Sequence, residues 1–298
     1  MNLRANENPL VLTMVVSAGI DPWLGIETRG QEPLHRNNFR TLENTIWMSG
    51  DPSFKCGVRH RLLIGLAKLR MWHYPGSGRF FQLIRNVLVI LSKRVPTGLV
   101  MRAIFMNAKS RRLETLSEQR IRQHFPTTTF VAGFRTLRAL EWALENSDFK
   151  YLVRITSTCL INEPAFIRFI ETLPEERVYA GQVNDHLGST KLFMSGAALV
   201  LSRDVVANVI AHQDEYRFDV YEDVALGLIV SEYDLADWIP MNRLDLPTTG
   251  SAESVSLDVL KNAPIIRCKA ETITLTPEPV LEIFGVVANR LGWDQSGM

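Results

Sequence analysis

Short apolar runs with the length of β-strands alternate with amphipathic helical patterns along the second half of the chain. Residues 151–155 form one strand-like run, and residues 178–183 form another. Between them, Asn162 followed by Pro164 is typical of a helix start. Strands that alternate with helices favour a sheet with helices packed on its faces. The sequence therefore predicts an α/β fold.

The same patterns place the remaining elements. Further strands are predicted over residues 10–18, 45–48 and 192–201, the last interrupted at Ser195 and Gly196. Further helices are predicted over residues 135–146, 203–211, 221–231 and 277–291. The helix after Asn162 has an apolar face of Phe166, Ile167, Ile170 and Leu173, and Pro174 ends it.

Composition and charge limit the class of protein. The 298 residues are 46% hydrophobic and 22% charged, with a net charge of +1. These values exclude a disordered chain and argue against a globally basic protein that binds nucleic acid. We expect one domain over residues 1–298. The scattered cysteines (Cys56, Cys159 and Cys268) are too few for a disulfide framework or a zinc site, so reduced thiols of a cytoplasmic protein are expected.

The sequence contains no run of 18 apolar residues, so it predicts no transmembrane helix. The apolar run 9–18 follows Arg4 and resembles a short signal peptide. Glu7 and Asn8 do not fit the charge pattern of such a peptide. We therefore interpret this run as the first β-strand.

A basic and apolar segment, residues 52–113, departs from the balanced charge of the rest of the chain. It holds 13 lysine and arginine residues and no aspartate or glutamate, together with apolar runs such as residues 87–91. This composition is typical of a helix that lies in an anionic membrane surface. A core helix pair with a basic rim and a groove for an anionic polymer are the open alternatives. We favour a helical insertion that attaches the protein to the inner face of a membrane.

The commonest catalytic motifs are absent from the sequence. It contains no Walker A motif, no G-x-G-x-x-G, no H-E-x-x-H and no G-x-S-x-G. One acidic pair, Glu222 and Asp223, stands at the start of a predicted helix. Its carboxylates either compensate the helix dipole or provide a general base with a supporting acid.

Several short motifs follow one another between residues 125 and 245. They are a helix that begins near Arg135, an aromatic-rich strand over residues 149–154, Tyr179-Ala180-Gly181, Ser195-Gly196 with a serine at 202, and Glu222-Asp223-Val224-x-x-Gly227. In this order they resemble a family 31-type glycosyltransferase, the β-1,3-galactosyltransferase and fringe group. Segment 125–245 is the part of the chain that best matches that family's catalytic core.

The resemblance implies a GT-A fold, a Rossmann-like mixed sheet flanked by helices that binds a nucleotide sugar at the carboxyl ends of central strands. It implies inverting transfer of a hexose from a UDP-linked donor to a glycan or lipid-linked glycan acceptor. Asp223 would be the catalytic base that removes the proton of the acceptor hydroxyl, with Glu222 supporting it.

The sequence departs from the family where the family binds a divalent metal. Thr156, Ser157 and Thr158 replace the Asp-x-Asp motif, and no histidine accompanies Arg267 and Lys269 near the C-terminus. Hydroxyls without carboxylates are poor ligands for a hard cation. We therefore expect metal-independent transfer without a metal cofactor. A divalent metal such as Mn²⁺ is the alternative, which the sequence does not support. A non-catalytic glycan-binding or membrane-associated scaffold protein is the alternative.

The expected donor-binding residues are basic or carry a hydroxyl, because arginine and hydroxyl groups can bind a diphosphate without a metal. They are Ser17, Arg29, Arg135, Arg154, Thr156, Ser157, Thr158, Arg267 and Lys269. The expected acceptor-binding residues are Lys191, Phe193, Ser195 and Gly196. Core packing is the alternative for Phe193, and ordinary loop or turn positions are the alternative for most of the donor set.

Overall fold

The computed structural model describes residues 11–16, 45–50, 113–117, 120–123, 132–156, 158–185, 192–217, 220–268 and 278–293. In these ranges the strands are β1 (Val11–Val16), β2 (Thr45–Gly50), β3 (Leu113–Ser117), β4 (Arg120–Gln123), β5 (Tyr151–Ile155), β6 (Cys159–Ile161), β7 (Val178–Asp185), β8 (Leu192–Ser202), β9 (Asp237–Pro240), β10 (Arg243–Leu246) and β11 (Ile265–Cys268). The helices are α1 (Ala132–Asn146), α2 (Glu163–Ile170), α3 (Arg203–Ala211), α4 (Glu222–Glu232), α5 (Thr249–Ser254), α6 (Leu257–Asn262) and α7 (Glu278–Leu291).

Within the described residues, the strands form one large and one small sheet. The large sheet has the order β3-β4-β2-β1-β5-β8-β7-β9, and the small sheet has the order β10-β11-β6. Pairing is parallel from β4 through β2 and β1 to β5, and antiparallel on both sides of β8. The predicted α/β fold, a mixed sheet with helices on its faces, is confirmed.

Helices cover both faces of the large sheet. One core joins α1, α3 and α4 to one face, and a second core joins α2 to the other. Strand β5 contributes side chains to both cores, because Leu152 belongs to the first core while Tyr151 and Val153 belong to the second. Burial on both faces explains why this strand is almost wholly apolar.

The small sheet was not predicted from the sequence. Its strands are three or four residues long, which is too short for a clear periodic pattern. A third core packs it against α5, α6 and α7. Both short helices have serine or threonine caps: Thr248 and Ser251 form a capping box on α5, and Ser256 accepts the Val259 amide on α6.

Helix α2 ends earlier than predicted. Its last residue is Ile170, and the Leu173 amide donates to the Ile170 carbonyl at 3.1 Å, so the chain leaves the helix in a tight turn before Pro174. Ile167, expected on the apolar face, is 44% exposed, while Leu173 is buried beyond the helix end. The apolar face is therefore narrower than the sequence pattern indicated.

Strand β8 runs without interruption from Leu192 to Ser202, where the sequence predicted a break at Ser195 and Gly196. The break occurs in the pairing instead. The register with β7 shifts beyond Gly181, which pairs with Leu199. A shift of this kind disrupts the ladder without ending the strand.

Several predictions concern residues outside the described ranges. They are the helical insertion predicted over residues 52–113, of which only Leu113 is described, as the first residue of β3, and the roles of Ser17, Arg29, Ser157, Lys191 and Lys269. None of the helices in the described ranges is long and apolar enough to cross a membrane.

Candidate active site

The amino-terminal end of α4 lies directly on β8. Oδ2 of Asp223 accepts the Gly196 amide at 3.0 Å, and Oδ1 accepts the Val224 amide at 3.0 Å. A Cβ at position 196 would lie 3.1 Å from the Cβ of Asp223, so the absence of a side chain at Gly196 permits this approach. Two motifs that are 27 residues apart in the sequence therefore meet in one hydrogen bond.

Gly227, one turn further along α4, keeps the helix close to β8. A Cβ there would lie 3.0 Å from the Cβ of Phe193 and 3.4 Å from the ring of Trp238. The Trp238 ring meets the Tyr179 ring edge-on, with centroids 5.0 Å apart. Phe193 is 8% exposed, so core packing describes this side chain. The structure thus places Phe193 under α4 and not on a surface that an acceptor would contact.

Gly181 completes the set of close approaches. A Cβ there would lie 3.1 Å from a methyl group of Leu199 and 3.2 Å from the Ala198 carbonyl of β8. This glycine stands where the register of the β7–β8 ladder shifts. The shift leaves the Gly196 amide to donate to Asp223. Gly196 and Gly227 therefore let α4 approach β8 closely, and Gly181 does the same for β7 and β8.

Glu222 turns into the interior. Its Oε2 accepts from the Arg154 guanidinium at 2.5 Å, with side chains that are 10% and 4% exposed, and its Oε1 accepts from the Thr136 hydroxyl of α1. Burial raises the pKa of the Glu222 carboxyl, while the charge of Arg154 and the Thr136 hydrogen bond act in the opposite direction. Glu222 thus joins α4 to β5 and α1.

Arg135 and Arg154 belong to this buried cluster, which corrects the expectation that they contact the donor. Arg135 is 0% exposed and Arg154 is 3% exposed. Burial lowers the pKa of Arg135 to about 10, and the Glu222 carboxylate opposes that change. Arg154 alternates with Val153 along β5, so it points to the face that α1 and α4 cover. Both guanidinium groups compensate Glu222 inside the protein.

Tyr216 is a further contact that sequence reasoning missed. Its hydroxyl donates to the Glu222 carbonyl at 3.1 Å. A Cβ at Gly133 of α1 would lie 2.9 Å from the Tyr216 ring, so this glycine makes room for it. Neither residue lies in a local pattern that predicts the contact. It depends on the packing of α1 against the start of α4.

Residues 156–158, which stand in place of the Asp-x-Asp motif and are called the hydroxyl turn below, directly follow β5. The Thr156 amide donates to the Ala197 carbonyl at 2.9 Å, and its hydroxyl donates to the same oxygen at 3.3 Å. The hydroxyl oxygens of Thr156 and Thr158 lie 3.1 Å apart, and both residues are half-buried. Since Ala197 follows Gly196, the structure brings this turn and Asp223 to neighbouring positions on β8.

Arg267 on β11 lies beside the turn. Its Cα pairs with that of Cys159, and the Cys268 amide donates to the Thr158 carbonyl at 2.8 Å. Arg267 is half-buried, and its buried Nε finds no hydrogen-bond partner within the described part of the chain. Because Arg267 pairs with Cys159, its side chain lies on the same side of the strands as the Cys159 thiol, which is 3.5 Å from the Thr156 hydroxyl. A guanidinium in this position is suited to an anion.

Arg243 on β10 links the two sheets and was not predicted. One guanidinium nitrogen donates to the Ser195 hydroxyl at 2.6 Å, and two others donate to the Asp245 carboxylate at 2.7 and 2.8 Å. Ser195 is 5% exposed, so its hydroxyl serves this link and not an acceptor. The pattern Arg-x-Asp on one strand face was the only sequence signal for it.

A divalent metal held by the described residues would need a cluster of ligating side chains. In these ranges no group of three or more histidine, cysteine, aspartate or glutamate residues lies close enough to share an ion. At the turn after β5 the described side-chain oxygens are the hydroxyls of Thr156 and Thr158, which are weak ligands for a hard cation.

No protein-family model and no curated protein matches this chain. Among solved structures, a match is the crystal structure of a glycosyltransferase involved in the glycosylation of the major capsid of PBCV-1. The identity is 10% and the TM-score is 0.37, with 91% of this chain and 98% of that chain covered. A likeness of this size does not establish a common fold or activity. The residues of the site are therefore the basis for a function.

We predict that Glu222→Gln destabilises the protein by about 3 kcal/mol, because it leaves Arg154 buried without its counter-charge. Urea denaturation followed by circular dichroism would measure this loss. Glu175→Gln is the matched control, since the Lys150–Glu175 pair at 2.7 Å is exposed and should contribute nothing measurable. Equal stability of Glu222→Gln and the wild type would contradict the structural role given to the buried pair.

Proposed function

We propose that the protein is an inverting glycosyltransferase that moves a hexose from a UDP-linked donor to a glycan acceptor, and that it belongs with the family 31-type enzymes. One observation carries the proposal. The Asp223 carboxylate is held on β8 beside the hydroxyl turn and Arg267, at the carboxyl end of β5. A fixed carboxylate next to an anion-binding corner is the arrangement that such a transfer needs.

Asp223 acts as the general base. Each of its oxygens accepts one backbone amide, which fixes the carboxylate and leaves further lone pairs for an acceptor hydroxyl. The carboxylate takes the hydroxyl proton as the acceptor oxygen bonds to the anomeric carbon. The bond from that carbon to the diphosphate oxygen breaks on the opposite face, so the configuration inverts. Glu222 positions this base through Arg154.

The leaving diphosphate binds at the corner formed by Thr156, Thr158 and Arg267. The Thr158 hydroxyl donates a hydrogen bond to the diphosphate, while the Thr156 hydroxyl holds the turn on the Ala197 carbonyl, and the guanidinium compensates the negative charge. Ser157 and Lys269 flank these residues in the sequence and add a hydroxyl and a cation. This set supports metal-independent transfer, since it provides cations where the related enzymes use carboxylates and a metal.

We predict that Asp223→Asn lowers kcat by about 10²–10⁴-fold and leaves UDP affinity unchanged, because it removes the base and keeps an oxygen for the Gly196 amide. Release of UDP from UDP-hexoses would measure turnover, and calorimetry would measure affinity. Asp204→Asn is the matched control. Asp204 is also the second residue of a helix and also accepts a backbone amide, from Arg177 at 2.9 Å, but it follows the carboxyl end of β8, away from Gly196. Full activity of Asp223→Asn would refute the assignment.

We predict that the wild type binds UDP in EDTA and that Arg267→Gln weakens this binding about tenfold through loss of a charged hydrogen bond. Calorimetry with UDP, with and without Mn²⁺, tests both statements. Arg168→Gln, which removes an exposed arginine on α2, should bind UDP as the wild type does. If binding in the wild type requires Mn²⁺, the metal-independent proposal fails.

The basic segment, residues 52–113, supports a peripheral position on the cytoplasmic face of a membrane. Its 13 positive charges, without a negative one, suit anionic headgroups, and its apolar runs suit the adjacent acyl region. In that position a lipid-linked or cell-envelope glycan would be the acceptor.

We predict that the protein sediments with vesicles containing phosphatidylserine and that this binding falls as salt is raised, because salt screens the basic segment. The double variant Lys93→Gln, Arg94→Gln should bind more weakly, whereas Lys261→Gln on the exposed face of α6 should bind like the wild type. Salt-independent binding would exclude the electrostatic attachment.

A non-catalytic glycan-binding protein is the second candidate. It is favoured by the hydrogen bonds of Asp223, since both oxygens accept backbone amides as in a purely structural helix start. This candidate requires that the wild type binds glycan and releases no UDP from UDP-hexoses.

A further inference from the structure

Within the described residues, Asp245 of β10 and Arg267 of β11 are paired neighbours that form no ion pair with each other. Their Cα atoms are partners in the parallel register of the two strands. Neighbouring strands lie about 4.8 Å apart and paired residues project to the same face, so this carboxylate and this guanidinium are within reach of each other. Asp245 forms its ion pair with Arg243 instead.

The Arg243 guanidinium engages both oxygens of the Asp245 carboxylate. Its Nε donates to Oδ1 at 2.7 Å and one Nη donates to Oδ2 at 2.8 Å, a pair of bonds that fixes the direction of the carboxylate. The other Nη donates to the Ser195 hydroxyl at 2.6 Å. The Arg243 side chain is 5% exposed and the Asp245 side chain is 55% exposed. The arginine is therefore the fixed partner, and it determines where the carboxylate lies.

Arg267 keeps hydrogen-bonding capacity that this arrangement does not use. It is half-buried, and its buried Nε has no partner in the described ranges. Burial raises the pKa of the Cys159 thiol, whereas the hydrogen bond with Thr156 and the charges of Arg267 and Arg243 lower it. Both guanidinium groups thus act on one thiol beside the hydroxyl turn, but among the described residues only Arg243 is paired with a carboxylate.

We infer that Arg243 is a positioning residue of the proposed donor site, which holds the Asp245 carboxylate so that Arg267 remains available to the diphosphate. This inference rests on the proposed function. Without Arg243, the Asp245 carboxylate would pair with Arg267, its neighbour across the strands. That pair would neutralise the guanidinium and occupy the N–H groups that a diphosphate needs. Arg243 therefore acts on the ligand through Asp245 and Arg267 and requires no contact with it.

The first experiment removes Arg243 and then its partner. Calorimetry in EDTA measures the binding of UDP and of inorganic pyrophosphate, so no turnover is required. Arg243→Met, which keeps a long apolar stem, should bind both about tenfold more weakly. Asp245→Asn added to this variant should restore the affinity to within about twofold of the wild type, because an uncharged amide does not neutralise Arg267. The added substitution returns none of the Arg243 contacts, so a merely structural role of Arg243 would not be rescued.

The double variant Arg243→Met, Asp245→Asn keeps the inference open to refutation even if Arg243→Met alone does not fold. It leaves neither charge of the pair without its partner, and circular dichroism would verify that it folds. Binding of UDP about tenfold weaker than in the wild type by the folded double variant would mean that Arg243 contacts the ligand itself. That result overturns the inference.

The second experiment tests whether the effect acts through Arg267. Arg243→Met combined with Arg267→Gln should bind UDP no more weakly than Arg267→Gln alone, since the cation that Asp245 would neutralise is already removed. Losses that multiply to about a hundredfold would show two independent effects and overturn the inference. Lys150→Met is the matched control, because it removes a cation from the ion pair with Glu175 just before β5, at the other end from the hydroxyl turn. It should bind UDP like the wild type, and an equal loss there also overturns the inference.

Failure of this inference and failure of the proposed transfer give different results. Release of UDP from UDP-hexoses measures the transfer. If the wild type releases no UDP but the variants follow the expected order with pyrophosphate, the inference stands and the transfer alone fails. If the wild type turns over and Asp245→Asn does not restore binding to Arg243→Met, the inference alone fails. A wild type that binds neither UDP nor pyrophosphate overturns both.

Discussion

The buried ion pair between Glu222 and Arg154 sets the position of α4, and the candidate active site depends on that position. Removing two charges from water is costly, and the pair is retained because its geometry is close and because Thr136 supplies another hydrogen bond to the carboxylate. The Tyr216 hydroxyl also holds the backbone of Glu222. Because Glu222 is fixed in the interior, the next residue, Asp223, points to β8.

The acidic pair at the start of α4 had a structural and a catalytic interpretation, and each applies to a different residue of the pair. Successive residues of a helix point about 100° apart, so neighbouring carboxylates cannot share one environment. Glu222 has the structural position, in the interior. Asp223 is half-buried at the surface, beside the turn after β5. Glycines decide this arrangement as much as the acids do, since Gly196 and Gly227 let the helix approach the strand closely.

The fold could be predicted where elements are long or buried on two faces. Strand β5 and helices α1, α3, α4 and α7 have strong periodic or continuous apolar patterns, and they form within a few residues of the predicted bounds. The small sheet could not be predicted, because three or four residues carry no period. The predicted end of α2 was wrong for a related reason. The apolar pattern continues to Leu173, but the helix ends at Ile170, where the backbone turns.

The sequence by itself determined the α/β alternation, the order of the glycine and acidic motifs, and the hydroxyls of Thr156 and Thr158 in place of carboxylates. Only the tertiary structure decided that Arg154 is buried against Glu222 and that Arg243 reaches Ser195 across two sheets. The physical reason is that a period of 2 or 3.6 residues shows which side chains share a face. It does not show which distant element covers that face. Whether a charged residue is a buried counter-charge or can contact a substrate depends on that distant element.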